Sequence, residues 1–269
     1  MAKKQELVKV EEKTQALAAY DFAEEIGSGF EEADADCYAI PYLSILQKNN
    51  PQCDPDSGAY LADAKPGMFF NNVTGELLDG DEGVEVVPVL LQHVYVEWVP
   101  REQGGGFRGA FRPADPIVAE AKQHRDEKGR FLMSNGNHLI DTIYYYALVR
   151  TGQSWTPVVL SFTSTQLKKA RAWNTTMQNF LLRRRDGTSG PAPMHARIYR
   201  IATRPESNDK GTWRGWKIGV ERELHPAASA EDRELVDMAR VFKSQVREGS
   251  AQIVQTDVDP NAPQDEVSF

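Results

Sequence analysis

The chain has 269 residues, of which 41% are hydrophobic, and this is enough apolar material for one domain with a buried core and terminal arms. The formal net charge of −8 excludes a surface that is uniformly basic, so the distribution of charge must be examined. The two cysteines form no CxxC pattern and no apolar run is long enough to span a membrane, which excludes a disulfide framework, a zinc site of the usual spacing and a transmembrane segment, and favours a cytoplasmic protein.

The N-terminal 36 residues are predicted to form an acidic, flexible arm. Seven acidic side chains lie between residues 21 and 36 without a basic residue among them, around a Gly-Ser-Gly sequence. The ordered domain is predicted to begin at residue 37 and to extend to about residue 225.

Three strands are predicted in the first half of this domain. Residues 84–99 alternate between apolar and polar side chains, and residues 139–150 and 156–162 follow, joined by a short turn that contains Gly152. Between the first two strands, residues 100–137 contain three successive glycines and many charges, which predicts a long flexible loop rather than part of the core.

A helix is predicted over residues 164–183, because Leu167, Ala170, Trp173 and Met177 fall on one stripe. Two strands follow at residues 194–203 and 212–222. The C-terminal segment at residues 226–249 contains a helix that Ser229 caps, and residues 250–269 are predicted to be a disordered acidic tail.

The succession of three strands, a helix and two strands matches the oligonucleotide-binding (OB) barrel, in which five strands close partly around a core. We therefore predict a mainly β (α+β) protein with an OB-like five-stranded barrel, a helix between the third and fourth strands, long insertions and a C-terminal helix. A small α+β sheet of another topology is the alternative.

Positive charge is concentrated in one segment of the chain. Residues 161–222 contain 13 Lys and Arg against 4 Asp and Glu, a balance of 13 − 4 = +9, which leaves −17 for the rest. Such a segment predicts contact with an anionic polymer.

Aromatic and cationic side chains alternate in this segment and in the long loop, the combination that binds single-stranded nucleic acid by stacking and by phosphate neutralisation. If Ile198 faces the core, Arg197 and Tyr199 should face outward, as should Trp213 and Lys217 opposite Trp216. The predicted DNA-binding residues are Arg101, Phe107, Arg108, Phe111, Arg112, Lys168, Lys169, Arg171, Arg183, Arg184, Arg185, Arg197, Tyr199, Arg200, Trp213, Arg214 and Lys217. For each of them, a purely structural role is the alternative.

Catalytic patterns are scarce. The five histidines are scattered, and no nucleophile elbow, metalloprotease helix or calcium loop occurs, so neither a catalytic residue nor a cofactor is predicted. The enzymatic alternative is a metal-dependent nuclease acting on DNA, built from Glu97, Asp115 and Asp141.

The sequence LSFTSTQLKK at 160–169, the pair Trp173 and Asn174, the sequence VYVEW at 94–98 and the acidic tail with its last aromatic residue resemble bacteriophage single-stranded DNA-binding proteins. The resemblance implies a protein without enzymatic activity that binds single-stranded DNA independently of sequence during phage replication, recombination or repair in the bacterial cytoplasm. It also implies that the tail binds replication or recombination proteins such as a polymerase, helicase or nuclease. The residues concerned would be Asp257, Asp259, Asp265, Glu266 and Phe269.

Two further alternatives remain at this stage. The helix near residues 230–248 either packs on the barrel or mediates a homodimer. The whole protein could also be a structural adaptor whose basic surface meets an acidic partner protein.

Overall fold

The structure is a computed structural model that describes residues 28, 29, 32, 39–127, 129–209, 211–249 and 252–253, without the side chains of Arg101, Gln252 and Ile253. The chain divides into two units, Met1–Cys37 and Tyr38–Phe269, and nearly all described residues belong to the second. The predicted arm at 1–36, apart from three residues, and the tail residues from 254 onward lie outside the described residues.

The described chain is mainly β, as predicted. Its strands and α-helices, in chain order, are β1 (Ala39–Ile40), β2 (Leu43–Ile45), β3 (Phe69–Asn71), β4 (Leu77–Leu78), β5 (Val84–Trp98), β6 (Phe107–Phe111), α1 (Pro116–Ala121), β7 (Phe131–Leu132), β8 (His138–Thr151), β9 (Ser154–Thr163), α2 (Leu167–Gln178), β10 (Leu181–Arg183), β11 (Ser189–Pro191), β12 (Arg197–Asn208), β13 (Gly211–Glu223), α3 (Ala230–Glu248) and β14 (Gln252–Ile253).

Five long strands form the central antiparallel sheet, in the order β13-β12-β5-β8-β9. The first half of β5 pairs with β12, and its second half pairs with β6, so the sheet divides along this strand. Within the described residues β9 and β13 are not hydrogen-bonded to each other, and no closed barrel is formed.

Each face of the sheet is covered by its own apolar cluster. One cluster contains Phe69, Tyr145, Phe162, Trp216 and the buried side of α2, with the Trp216 ring stacked 5.2 Å from that of Phe162. The other cluster lies under α3 and β1 and contains Tyr144, Tyr146, Ile198 and Phe242 among others. Because successive side chains of a strand point to opposite faces, nearly every residue in the middle of β8 is buried.

Helix α2 is shorter than its sequence pattern predicts. The stripe of Leu167, Ala170, Trp173 and Met177 is buried, but the helix ends at Gln178. The prediction of helix up to residue 183 is therefore wrong, because Leu181–Arg183 pairs with Ser189–Pro191 as a separate antiparallel hairpin.

The segment at 100–137 contains regular structure and a small core of its own. Strand β6, helix α1 and strand β7 lie within it, and Val118, Ala121 and Met133 pack against Tyr95 and Leu139. The prediction of a loop outside the core is therefore wrong. Apolar residues such as Val118 and Met133, spaced among charged ones, are sufficient for this cluster.

Helix α3 has the bounds and caps that its sequence predicts. The Ser229 hydroxyl accepts a hydrogen bond from the Asp232 amide at 3.2 Å, and Gly249 ends the helix in the left-handed conformation. Leu235, Val236, Ala239 and Phe242 are buried against the sheet. None of the described helices is both long enough and apolar enough to cross a membrane.

Candidate nucleic-acid interface

A groove of about 240 Å³ lies between α2 and the final strand pair. Its walls come from α2, β12 and β13, and it is lined by Lys169, Ala172, Trp173, Thr176, Tyr199, Arg204, Trp216, Lys217, Ile218, Gly219 and Val220. At Gly219, an added Cβ would meet no atom within 4 Å, so the backbone is openly accessible there. Such a position lets another backbone approach closely.

The floor of the groove is aromatic, but the rings themselves are buried. Trp173, Tyr199 and Trp216 are only 3%, 1% and 1% exposed, so they offer almost no ring surface on which a base could stack. Apolar contact surface comes instead from β13, where Ile218 is partly buried and Val220 is 47% exposed.

One carboxylate organises the cations at the rim of the groove. Glu206 forms an ion pair with Lys169 at 2.5 Å, and it accepts hydrogen bonds from Arg204 at 2.9 Å, Trp213 Nε1 at 3.1 Å and Gln166 Nε2 at 3.3 Å. Gln166 also accepts a hydrogen bond from the Trp216 amide at 3.1 Å, which connects the cluster to β13. These contacts fix the positions of both cations.

The pKa values in this cluster follow from burial and from these contacts. Burial favours a higher pKa for the Glu206 carboxyl, but the hydrogen bonds from Lys169, Arg204 and Gln166 outweigh it and hold the pKa below its usual value. Burial lowers the pKa of the Lys169 ammonium, although the Glu206 carboxylate opposes this shift. A second anion beside Lys169 would favour its charged form further.

Gly215 lies directly beside this cluster. A Cβ atom at this position would collide with the Glu206 carboxylate and the Lys169 ammonium. The glycine therefore serves the close approach of the cluster to β13.

Several predicted cations are exposed on α2, on β13 and in the segment after α2. Lys168 and Lys217 are exposed and have no ion-pair partner among the described residues, and Arg171 is 69% exposed with its nearest carboxylate, on Asp141, 4.0 Å away. Arg183, Arg184 and Arg185 are exposed in the hairpin that follows α2. The structure thus brings Lys169 and Lys217 to one groove and places Lys168 and Arg171 on the helix beside it.

The predicted outward orientation of Arg197 and Tyr199 is wrong. Tyr199 is buried in the cluster under α2, and Arg197 stacks on the Phe180 ring at 3.4 Å and pairs with Glu223 at 2.6 Å. The physical reason is that the sheet is covered on both faces, so neither Ile198 nor Tyr199 reaches solvent.

Other predicted contacts are engaged within the protein. Arg200 pairs with Glu221 at 2.8 Å, and Arg214 lies over Gly67 and pairs with Asp81 at 3.4 Å. Trp213 is half-buried, and its indole donates to Glu206 as described above. These side chains are therefore less available to a ligand than their sequence positions indicate.

The residues predicted in the long loop lie elsewhere. Phe107 packs on Trp98 with ring centroids 6.0 Å apart, and Phe111 packs in the small core at α1. Arg108 and Arg112 are exposed, but strand β6 pairs with the opposite end of β5 from β12. The structure therefore does not bring these residues to the groove, and the side chain of Arg101 lies outside the described residues.

The predicted nuclease carboxylates have other partners. Glu97 accepts hydrogen bonds from Asn135 and Asn137, and Asp115 accepts one from the Arg112 amide at 2.7 Å. Asp141 contacts His93 at 2.8 Å. Across the part of the chain that the structure describes, no three His, Cys, Asp or Glu side chains are grouped as metal ligands.

Sequence reasoning missed Glu206 as a functional residue. It pairs across the strands with Trp213, in a hairpin whose last paired residues are Asn208 and Gly211. The polar turn between these strands is visible in the sequence, and counting back from it would have placed Glu206 opposite Trp213.

Comparison with curated proteins and with solved structures gives no match to this chain. Comparison with protein families does: the family described as Pam3 phage gp34-like protein matches residues 10–252. Because the match covers most of the sequence, this chain belongs to the Pam3 phage gp34-like protein family.

Proposed function

We propose that this phage protein binds single-stranded DNA without sequence preference during DNA replication, recombination or repair in the host cytoplasm. The observation that carries the proposal is the groove between α2 and β13, which has cations at its rim and an accessible apolar strand surface inside it. Cations on such a groove neutralise phosphates irrespective of base sequence.

The fold supports the same proposal. The sheet order β13-β12-β5-β8-β9, with α2 after the third of these strands in the chain, agrees with an OB-like arrangement that lacks a hydrogen-bonded closure. Since the aromatic faces are buried, we propose that phosphate contacts supply most of the affinity and that base stacking contributes little.

The acidic tail completes the proposal. Asp257, Asp259, Asp265, Glu266 and Phe269 would bind a replication or recombination protein while the groove holds DNA. This assignment rests on the resemblance of the sequence to phage single-stranded DNA-binding proteins.

The test is fluorescence anisotropy with labelled oligo-dT and oligo-dA. Lys217→Ala combined with Lys168→Ala should weaken binding of both oligonucleotides equally, by about tenfold, because each lost phosphate contact costs affinity without regard to base. Arg247→Ala removes an exposed cation from α3, which packs on the opposite face of the sheet, and should leave the Kd unchanged.

Two results would contradict the proposal. One is a double variant that binds as well as the wild type, and the other is a loss confined to one of the two oligonucleotides. Cleavage of circular single-stranded DNA in the presence of Mg²⁺ would favour the nuclease alternative instead.

A further inference from the structure

The hairpin of β10 and β11 is an independent projection of the chain. Its strands pair only with each other among the described elements, in the register Leu181 with Pro191 and Arg183 with Ser189. At its base the Ala192 amide donates to the Phe180 carbonyl at 2.7 Å, and the Arg197 guanidinium covers the Phe180 ring. The base is therefore anchored to β12, whereas the strands themselves are exposed.

Each face of this hairpin carries one exposed leucine and one arginine. Leu181 and Leu182 are 57% and 45% exposed, Arg183 follows them in the same strand, and Arg184 is the first residue after it. Because side chains alternate across a strand, Leu181 and Arg183 share one face. Arg184 lies on the face of Leu182, since its guanidinium covers Gly190, the cross-strand partner of Leu182. Each face thus has a leucine near the base and an arginine nearer the tip.

The turn of the hairpin is also basic. Arg185 is exposed and has no ion-pair partner among the described residues, whereas Asp186 accepts hydrogen bonds from the Thr188 amide and hydroxyl at 2.9 and 2.7 Å. Three arginines against one carboxylate that is occupied within the turn favour a polyanionic partner.

The presence of one leucine and one arginine on each face indicates which kind of partner the hairpin contacts. A lipid surface or a second copy of the chain would be contacted by one face, so it would favour both leucines on the same side. Two nucleic-acid strands that separate around the hairpin would each meet one leucine and one arginine. Leucine side chains are among those that wedge between base steps, while arginines neutralise the adjacent phosphates.

We propose that the β10–β11 hairpin is a wedge that enters the junction between duplex and single-stranded DNA. Leu181 and Leu182 contact the bases at the end of the duplex, and Arg183, Arg184 and Arg185 contact the phosphates of the two departing strands. Helix α2 ends two residues before Phe180, so one departing strand continues from the hairpin along α2 into the groove. In this respect the inference rests on the proposed function.

A forked DNA with 2-aminopurine at its last base pair tests the wedge. The wild-type protein should raise the fluorescence of this base by unstacking it, and should bind the fork more tightly than either single strand. Leu181→Ala combined with Leu182→Ala should abolish the fluorescence rise and weaken fork binding about tenfold, while binding to oligo-dT stays within about twofold.

Two further variants complete the experiment. Replacing Arg183, Arg184 and Arg185 together by Gln should weaken fork binding and reduce its salt dependence without changing the circular dichroism spectrum. Met238→Ala combined with Val241→Ala removes two exposed apolar side chains from α3 and should bind the fork like the wild type.

The outcomes separate the wedge from the proposed function. If the wild type binds oligo-dT tightly but neither prefers the fork nor changes the 2-aminopurine signal, the wedge is wrong and the groove proposal stands. If oligo-dT is not bound at all, the proposed function itself fails. If the leucine variant instead loses binding to phosphatidylglycerol vesicles, or sediments as a smaller species, the hairpin serves a membrane or a second copy and the wedge is overturned.

Discussion

The Glu206 carboxylate occupies a position among the groove cations that a DNA phosphate could occupy. An oxyanion that pairs with Lys169 and receives hydrogen bonds from Arg204 and an indole has the surroundings that a DNA phosphate would need. The carboxylate therefore competes with DNA for these cations. At the same time it keeps their side chains in place before DNA arrives.

Glu206→Gln should consequently strengthen binding of single-stranded DNA. The amide retains an oxygen that accepts hydrogen bonds and so preserves the geometry, but the variant no longer neutralises Lys169 and Arg204. We expect a Kd about three- to tenfold lower at low salt, measured by anisotropy with oligo-dT, and a steeper salt dependence.

Glu248→Gln is the matched control, since it changes the net charge equally on the exposed side of α3. An effect of the same size in both variants would mean that only overall charge matters. Weaker binding by the Glu206 variant would show that DNA does not reach this cluster.

At this scale the sequence predicted some positions of the site correctly and others wrongly. The exposure of Lys168, Arg171 and Lys217 was predictable, because charged side chains on an amphipathic helix or strand turn toward water. The burial of Tyr199 was not, because it depends on α2 covering a strand about twenty residues later in the chain. Ion pairs such as Arg214 with Asp81 join residues whose contact only the folded chain determines.

Helix α3 is stabilised both by its own caps and by a contact with a strand that precedes it in the chain. Its cap at Ser229 and its end at Gly249 follow from sequence, but Asp232 also binds the end of β13. Its carboxylate accepts hydrogen bonds from the His225 amide at 2.7 Å and from Arg222 at 3.1 Å. Asp232 thus fastens the helix to the sheet.

Asp232→Ala should destabilise the fold by about 1–3 kcal/mol at neutral pH, measured by urea unfolding, because it removes charge-assisted hydrogen bonds at a buried site. Burial favours a higher pKa for Asp232, but the bonds from His225 and Arg222 outweigh it and hold the pKa below its ordinary 3.8. A lowered folded pKa gives stability that is present above pH 3.8 and lost as the pH falls through the folded value. The difference between wild type and variant should therefore shrink below about pH 4.

Ser229→Ala offers a comparison within the same cap. Loss of a neutral hydroxyl cap should cost about 1 kcal/mol, with little change between pH 7 and pH 3. If both variants showed the same pH profile, the contribution of the ionised carboxylate would be refuted.

The two wrong predictions of secondary structure, at the end of α2 and in residues 100–137, have the same cause. Local periodicity extends a helix through Leu181, yet pairing with Ser189–Pro191 across a turn is an alternative that periodicity does not detect. The segment at 100–137 was misread for the same reason, since α1 is short and gains its stability from contacts with Tyr95 and Leu139. Long strands with alternating apolar and polar side chains, such as β5 and β13, were predictable to within a residue or two.

In the whole molecule, much of the positive charge of residues 161–222 is neutralised by ion pairs within the protein. Of the 13 basic residues in this segment, seven form ion pairs within 4.0 Å, with Glu206 and Glu221 inside it and Asp81, Glu85, Asp141, Glu223 and Asp232 outside it. Lys168, Arg183, Arg184, Arg185 and Lys217 have no ion-pair partner among the described residues, and Lys210 lies outside them. A sum over sequence therefore overstates the charge available to DNA.

This difference can be measured as a salt slope. Each phosphate neutralised on a single strand contributes about −0.7 to the slope of log K against log salt, so five available cations predict a slope of about −3.5, whereas all thirteen would give about −9. We expect the smaller magnitude from titrations of oligo-dT between about 50 and 200 mM salt. Glu206→Gln should move the slope toward about −5 by releasing Lys169 and Arg204, whereas Glu248→Gln should not move it. A wild-type slope near −9 would mean that DNA displaces the internal carboxylates, and the ion pairs would then be replaced on binding rather than kept.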